Sequence, residues 1–144
     1  MLSSEDRLAI QDLYARYNAF FDLGDAGNWA RCFTEDGEFA FHRVRGRPAL
    51  ADMCRQRFER RADETYMNAQ HWNSNLIVEG DTDKARGICY VVRVARDRAS
   101  GAFILLTPAM YQDELAKVDG QWLFVRRDAT LDTPPSSFIP RKGA

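Results

Sequence analysis

Apolar residues recur at steps of three and four early in the chain: Ile10, Leu13, Tyr14, Tyr17, Phe20 and Phe21. That period puts them on one stripe of an α-helix. The helix is predicted to begin near Ser3 or Ser4, because Ser3-x-x-Asp6 has the form of a capping box with Asp in place of Glu. Gly24 is its natural stop. A short second helix around Asn28–Phe33 would bury Trp29 and Phe33. Phe39 and Phe41 alternate with polar neighbours, as on a short strand. Gly46-Arg47-Pro48 breaks the chain and sets Pro48 in the first turn of a third helix. Leu50, Met53, Cys54, Phe58 and Arg61 form its inner stripe, and Arg55, Arg57, Glu59 and Arg60 cover its outer faces.

From Gln70 the period shortens to two. Residues 70–79, 84–96, 102–118 and 121–131 read as four strands, rich in β-branched and aromatic types. Asp119-Gly120 is a hairpin signal. Pro108 must interrupt the third strand at a bulge or an edge. Helices followed by strands mean an α+β fold. The expected form is a cone-like α+β barrel, with three N-terminal helices packed in a curved, mostly antiparallel sheet. The open end of such a cone is a place for a small-molecule pocket. A length of 144 residues fits one domain over residues 1–132 and an extended or disordered tail over 133–144.

Composition narrows the function. The net charge is −1, from 20 basic and 21 acidic residues, so no overall field favours nucleic acid or a membrane surface. No run approaches the roughly 20 apolar residues of a membrane helix. The N-terminus has no basic region followed by an apolar run, so no secretory leader is expected. Cys32, Cys54 and Cys89 are odd in number and widely spaced, which suits neither a disulfide framework nor a zinc site. They are expected as buried packing residues in a reducing cytoplasm. Arg43, Arg45 and Arg47 alternate; they serve a carboxylate ligand, an acidic partner or, most simply, water. No Gly-rich phosphate loop, metal-spaced histidine cluster or Ser-centred elbow is present.

Two histidines remain, His42 and His71. His42 follows Phe41 in an Arg-rich loop and is expected at the surface. His71 opens the first long strand. A general base near neutral pH is most often His, held in one tautomer by a carboxylate. Asp22 shares the general stripe of Tyr14, Tyr17 and Phe21, an odd place for an unpartnered carboxylate. The bland alternative is that Asp22 ends a helix and His71 is a satisfied core residue. If His71 faces inward, Asn73 and Asn75 share its face. Asn73 is then a candidate donor to a substrate, and either Asn a candidate for a strand bulge. Tyr14, Tyr17, Phe21, Phe41, Tyr90 and Met110 are candidates for the pocket wall.

Four segments carry a resemblance. They are Asp6–Tyr14 running on to Phe21-Asp22-Leu23-Gly24-Asp25, Trp29–Gly37, Gln70-His71-Trp72-Asn73-Ser74-Asn75, and Asp113-Glu114-Leu115 through Trp122. Together they resemble the SnoaL-like families of the nuclear-transport-factor-2-like superfamily. Within it the motifs are nearest to hexachlorocyclohexane dehydrochlorinase and scytalone dehydratase. The resemblance implies Asp22 and His71 as a catalytic pair. It also implies a lyase or isomerase that abstracts a proton from a small apolar cyclic or aromatic substrate, with no metal or organic cofactor. The chain departs from both enzymes. Phe21 and Phe41 stand where scytalone dehydratase has tyrosines, its second histidine falls near Ala95 or Arg96, and Tyr17 replaces a dehydrochlorinase lysine.

Trp122–Asp132 also resembles the β subunits of aromatic-ring-hydroxylating dioxygenases. That implies an alternative: a non-catalytic scaffold partnering a dioxygenase α subunit. A small-molecule-binding module without turnover is a third reading. An open sheet face carrying Ile88, Tyr90, Val92, Ile104 or Leu106 predicts a homo-oligomer, dimer or trimer.

Overall fold

In the computed structural model, which describes residues 1–130, helix α1 runs Ser4–Leu23. Ser3 Oγ accepts from the Asp6 N–H at 3.0 Å and the Asp6 carboxylate accepts from the Ser3 N–H, so the capping box closes both ways. Gly24 ends the helix in the left-handed region at φ 75°, and a Cβ there would lie 2.6 Å from the Phe58 ring. Helix α2 (Ala26–Arg31) starts earlier than its apolar pattern predicts, because the Asp25 side chain accepts from the Asn28 N–H and caps it. Trp29 and Phe33 are fully buried. Helix α3 (Arg47–Arg60) carries Pro48 in its first turn.

Strand β1 (Phe33–Phe39) is longer than expected, and Phe41 falls beyond it in a 3-10 turn over Ala40–His42. After β2 (Val44–Arg45) and α3 come the four long strands. They are β3 (Tyr66–Gly80), β4 (Lys84–Asp97), β5 (Phe103–Val118) and β6 (Gln121–Thr130). These four form an antiparallel meander. β1 joins β6 in parallel and β2 pairs antiparallel outside it, giving the order β2-β1-β6-β5-β4-β3. The architecture is therefore an α+β fold with a six-stranded mixed sheet and its helices toward the N-terminus. The tail expected over 133–144 lies outside the described residues. No described helix is long and apolar enough to cross a membrane.

Pro108 sits opposite Val92, past the last described β5–β6 pair of Met110 with Thr130, and beside a bulge at Leu106. The bulge reverses the facing of the residues before it. Phe103 and Leu105 therefore point to the outer sheet face, where Ile104 and Leu106 were expected. They are 60% and 69% exposed, and Trp72 beside them is 51% exposed.

The core holds a charge that the hydrophobic pattern did not predict. Arg127 is 0% exposed, and its Nε and Nη2 each donate to the Asp113 carboxylate at 2.7 Å. Tyr14 Oη donates to the same carboxylate. Tyr14, Tyr17, Tyr111 and Phe124 box the guanidinium, with ring centroids 3.9–4.6 Å from its Cζ. Gly87 gives the phenol its room, since a Cβ there would lie 2.2 Å from Tyr14 Oη.

At the surface end of α1, Asp6 also accepts from Lys117 Nζ and Trp122 Nε1 at 2.8 Å each, tying the helix to β5 and β6. These bonds, that of Lys117 first, hold its carboxyl well below the usual carboxylate range. A depressed folded pKa stabilises the fold above the ordinary value of 3.8, and that stability is lost as pH falls through the folded pKa. Asp6→Asn is expected to lower the Tm at neutral pH, with the gap to wild type closing below about pH 4. Melting curves across that range check it, and a gap independent of pH contradicts it.

Candidate functional site

Residues of α1 set the inner wall of a cavity of about 320 Å³. Helical spacing brings Tyr17, Asn18 and Phe21 to it, with Asp22 just behind. The sheet supplies His71 from β3, Val91 and Arg93 from β4, and Thr107, Ala109 and Tyr111 from β5. The register places His71, Arg93 and Thr107 side by side across three strands. The turn after β1 and the end of α3 supply the mouth.

Asp22 grips His71 twice. Its Oδ1 lies 2.6 Å from His71 Nδ1, and its Oδ2 accepts the His71 backbone N–H at 2.9 Å. The two side chains are 14% and 12% exposed. A carboxylate only accepts, so Nδ1 must carry the proton in the neutral ring. That leaves Nε2 as the acceptor nitrogen, with no partner among the described residues, on a ring that lines the cavity. Phe21 stands edge-on to the imidazole at 5.5 Å between centroids. Asn18 Nδ2 donates to the His71 carbonyl at 3.3 Å.

Arg61 fixes the other side of Asp22. Its Nη1 donates to the Asp22 carbonyl at 2.6 Å and its Nη2 to the Phe21 carbonyl at 3.3 Å, with Asp22 Oδ1 3.9 Å away. The last turn of α1 has no basic residue of its own, so Arg61 supplies the cation that its free carbonyls favour.

Tyr17 and Tyr111 also line the cavity, and burial pushes both of their hydroxyls up. Arg127 lies directly behind them. At the mouth are His42, Arg57, Arg60, Arg61, Glu64 and Tyr66. Burial first, and then the Arg57 charge, hold His42 below the ordinary imidazole value.

The structure thus brings His71, Tyr17, Phe21 and Phe41 to one cavity, with Asp22 on the far side of His71. It moves the other candidates elsewhere. Tyr14 is committed to Asp113 in the core. Tyr90 and Met110 face each other on the outer side of the sheet, because their neighbours Val91, Ala109 and Tyr111 face inward. Asn73 shares the His71 face but does not reach the cavity, and its Oδ1 is buried without a partner. Asn75 adopts φ 55° at the bulge between Ser74 and Ile77, which is the backbone role that its type suits. His42 is half-buried at the cavity mouth, where a surface position was expected. Arg45 pairs with Asp36 and Arg47 donates to the Phe33 carbonyl, so neither serves the cavity.

Arg57, Arg60, Arg93, Tyr66 and Tyr111 were missed. Periodicity assigns faces within a strand, and only register between strands shows that Arg93 stands next to His71. The three cysteines are buried and free, and burial pushes the Cys32, Cys54 and Cys89 thiols up to about 12, 11 and 12. They are inert as nucleophiles. Among the described residues no group of three or more His, Cys, Asp or Glu is placed to hold a metal ion.

The fold has parallels. The family profile described as a SnoaL-like domain matches residues 3–128. Rv3472, a protein of unknown function from Mycobacterium tuberculosis solved with one Asp changed to Asn, is 34% identical with a TM-score of 0.77, over 92% of this chain and 75% of its own. An NTF2-like protein with a cystatin-like fold from Novosphingobium aromaticivorans is 26% identical with a TM-score of 0.78, over 95% and 90% of the two chains. A provisionally named scytalone dehydratase from the same bacterium is 24% identical with a TM-score of 0.70, over 86% and 82%, a likeness of fold alone. No curated protein matches the chain.

Proposed function

Because the chain belongs to the SnoaL-like domain family, whose members are polyketide cyclases or dehydratases, we propose that it is a cofactor-independent lyase or isomerase. Its substrate is a small cyclic or aromatic molecule, and His71 is the general base. One observation carries this reading: the 2.6 Å contact between Asp22 and Nδ1 of His71, a residue that lines the cavity. The cavity is taken as the mouth of a cone formed by the sheet around α1.

Asp22 holds the imidazole in the tautomer that accepts at Nε2, and its charge stabilises the imidazolium once the proton arrives. In this reading a phenol of the lining, Tyr17 or Tyr111, donates to an oxygen that gains charge as the C–H bond breaks. Departure of a leaving group then gives a lyase, and return of the proton to another carbon gives an isomerase. A scaffold for a separate catalytic subunit would have no use for an oriented histidine over a cavity. His71→Ala is expected to lower turnover by about 10²–10⁴-fold on whichever cyclic ketone or alcohol proves active in an elimination and isomerisation screen. Its circular dichroism and Tm should stay close to wild type. Full activity in the variant contradicts the role, and loss of folding returns His71 to the core.

We also propose that the outer sheet face binds a second copy of this chain. Ile77, Trp72, Tyr90, Phe103 and Leu105 expose apolar surface across β3, β4 and β5. A contiguous patch of this kind is uncommon on a monomer, and a sheet face meets its own copy readily about a two-fold axis. Sedimentation is expected to show a homo-oligomer, a dimer in the simplest case, that Leu105→Asp dissociates. A wild-type monomer at micromolar concentration contradicts it.

A further inference from the structure

The arginines of this chain divide by what they face. Arg127 has Asp113, Arg61 has Asp22 and two carbonyls, Arg45 has Asp36, Arg55 has Asp52, and Arg126 has Glu38 and Asp128. Arg93 differs. It is half-buried on the inner face of β4 and lines the cavity. Its Nη2 donates to the Tyr66 hydroxyl at 3.0 Å, and the Tyr66 ring lies under its guanidinium at 5.8 Å. Its Nε–H is buried with no hydrogen-bond partner, and it makes no ion pair among the described residues.

A guanidinium withdrawn from water without a counter-charge is costly to fold. Its five donors match a planar carboxylate in a way that an ammonium does not. The surroundings add to the imbalance. Arg57, Arg60 and Arg61 line the same cavity, against Glu64 and the already engaged Asp22. Phe21, Phe39, Val91 and Ala109 give the same cavity its apolar part. The volume of about 320 Å³ is at the small end for ligand pockets, room for a compact ring compound.

We propose that the cavity binds a ring compound bearing a carboxylate, and that Arg93 holds that carboxylate. The inference rests on the same site as the proposed reaction and narrows its substrate to organic acids. It revises the apolar substrate that the sequence implied. Arg93 is directly opposite His71 in the β3–β4 register, so the acid group docks next to the base and the ring extends over the apolar part.

Calorimetric titration with matched acids and amides tests this without any turnover. The probes are benzoate, cyclohexanecarboxylate and 2-naphthoate, each against its own carboxamide, at low salt and neutral pH. In the wild type, at least one acid is expected to bind about tenfold or more tighter than its amide, as a charge-assisted hydrogen bond implies. Arg93→Gln should bring that ratio close to one and leave the amide affinity unchanged, with a Tm close to wild type, since it loses the Tyr66 contact but no ion pair. Arg93→Lys, which keeps the charge and loses the fork, should fall between. A wild type that prefers no acid in the panel overturns the proposal, and so does a preference that survives in Arg93→Gln. His71→Ala should keep the acid preference. Failure at Arg93 is thereby separate from failure of the His71 reaction, which is read from turnover alone.

Discussion

A single buried cation ties the helix to the sheet. Arg127 on β6 and Asp113 on β5 form a bidentate pair with no exposed surface on either side chain. Removing two charges from water costs several kcal/mol per ion, and only good geometry and further hydrogen bonds return it. Here the return comes from Tyr14 of α1, which gives the carboxylate a third donor, and from four aromatic rings around the guanidinium. The arrangement works only if α1 crosses the sheet at one height and one rotation. Gly87 is the matching gap in β4.

That constraint reaches the site. Asp22 follows Tyr14 by about two helical turns, roughly 12 Å along α1. Once Tyr14 is seated on Asp113, the far end of the helix has little freedom, and Asp22 arrives beside His71 of β3. Arg61 then clamps the last carbonyls of α1, and the Asp22 carboxylate is left to hold the His71 ring and backbone. Tyr17 and Tyr111 belong to both regions, as walls of the Arg127 box and as lining of the cavity. Core and site therefore share residues, and a change in the box is felt at the cavity.

The sequence revealed local features more fully than relations between strands. The Ser3–Asp6 capping box, the stop at Gly24, Pro48 in the first turn of α3 and the four long strands are local signals, and all are present. Asp22 and His71 were singled out through family motifs, since their contact is made only by folding. Tyr90 and Met110 were misplaced on the cavity side because composition marks an aromatic or Met as wall without giving its face. The bulge at Leu106 exchanged which residues of β5 face outward, and no residue at that point announces it. Arg93 and the Arg127–Asp113 pair read as ordinary charges in the chain. Their meaning depends on cross-strand partners, Thr107 and His71 for the first and the aromatic box for the second.

The proposed chemistry requires that Asp22 choose the tautomer of His71. Nitrogen-resolved NMR of the His71 imidazole in the unliganded protein, at a pH where the ring is neutral, reads that directly. The expected result is a proton on Nδ1, hydrogen-bonded to Asp22, and an unprotonated Nε2. A proton found on Nε2 would leave the cavity without a base and would contradict it.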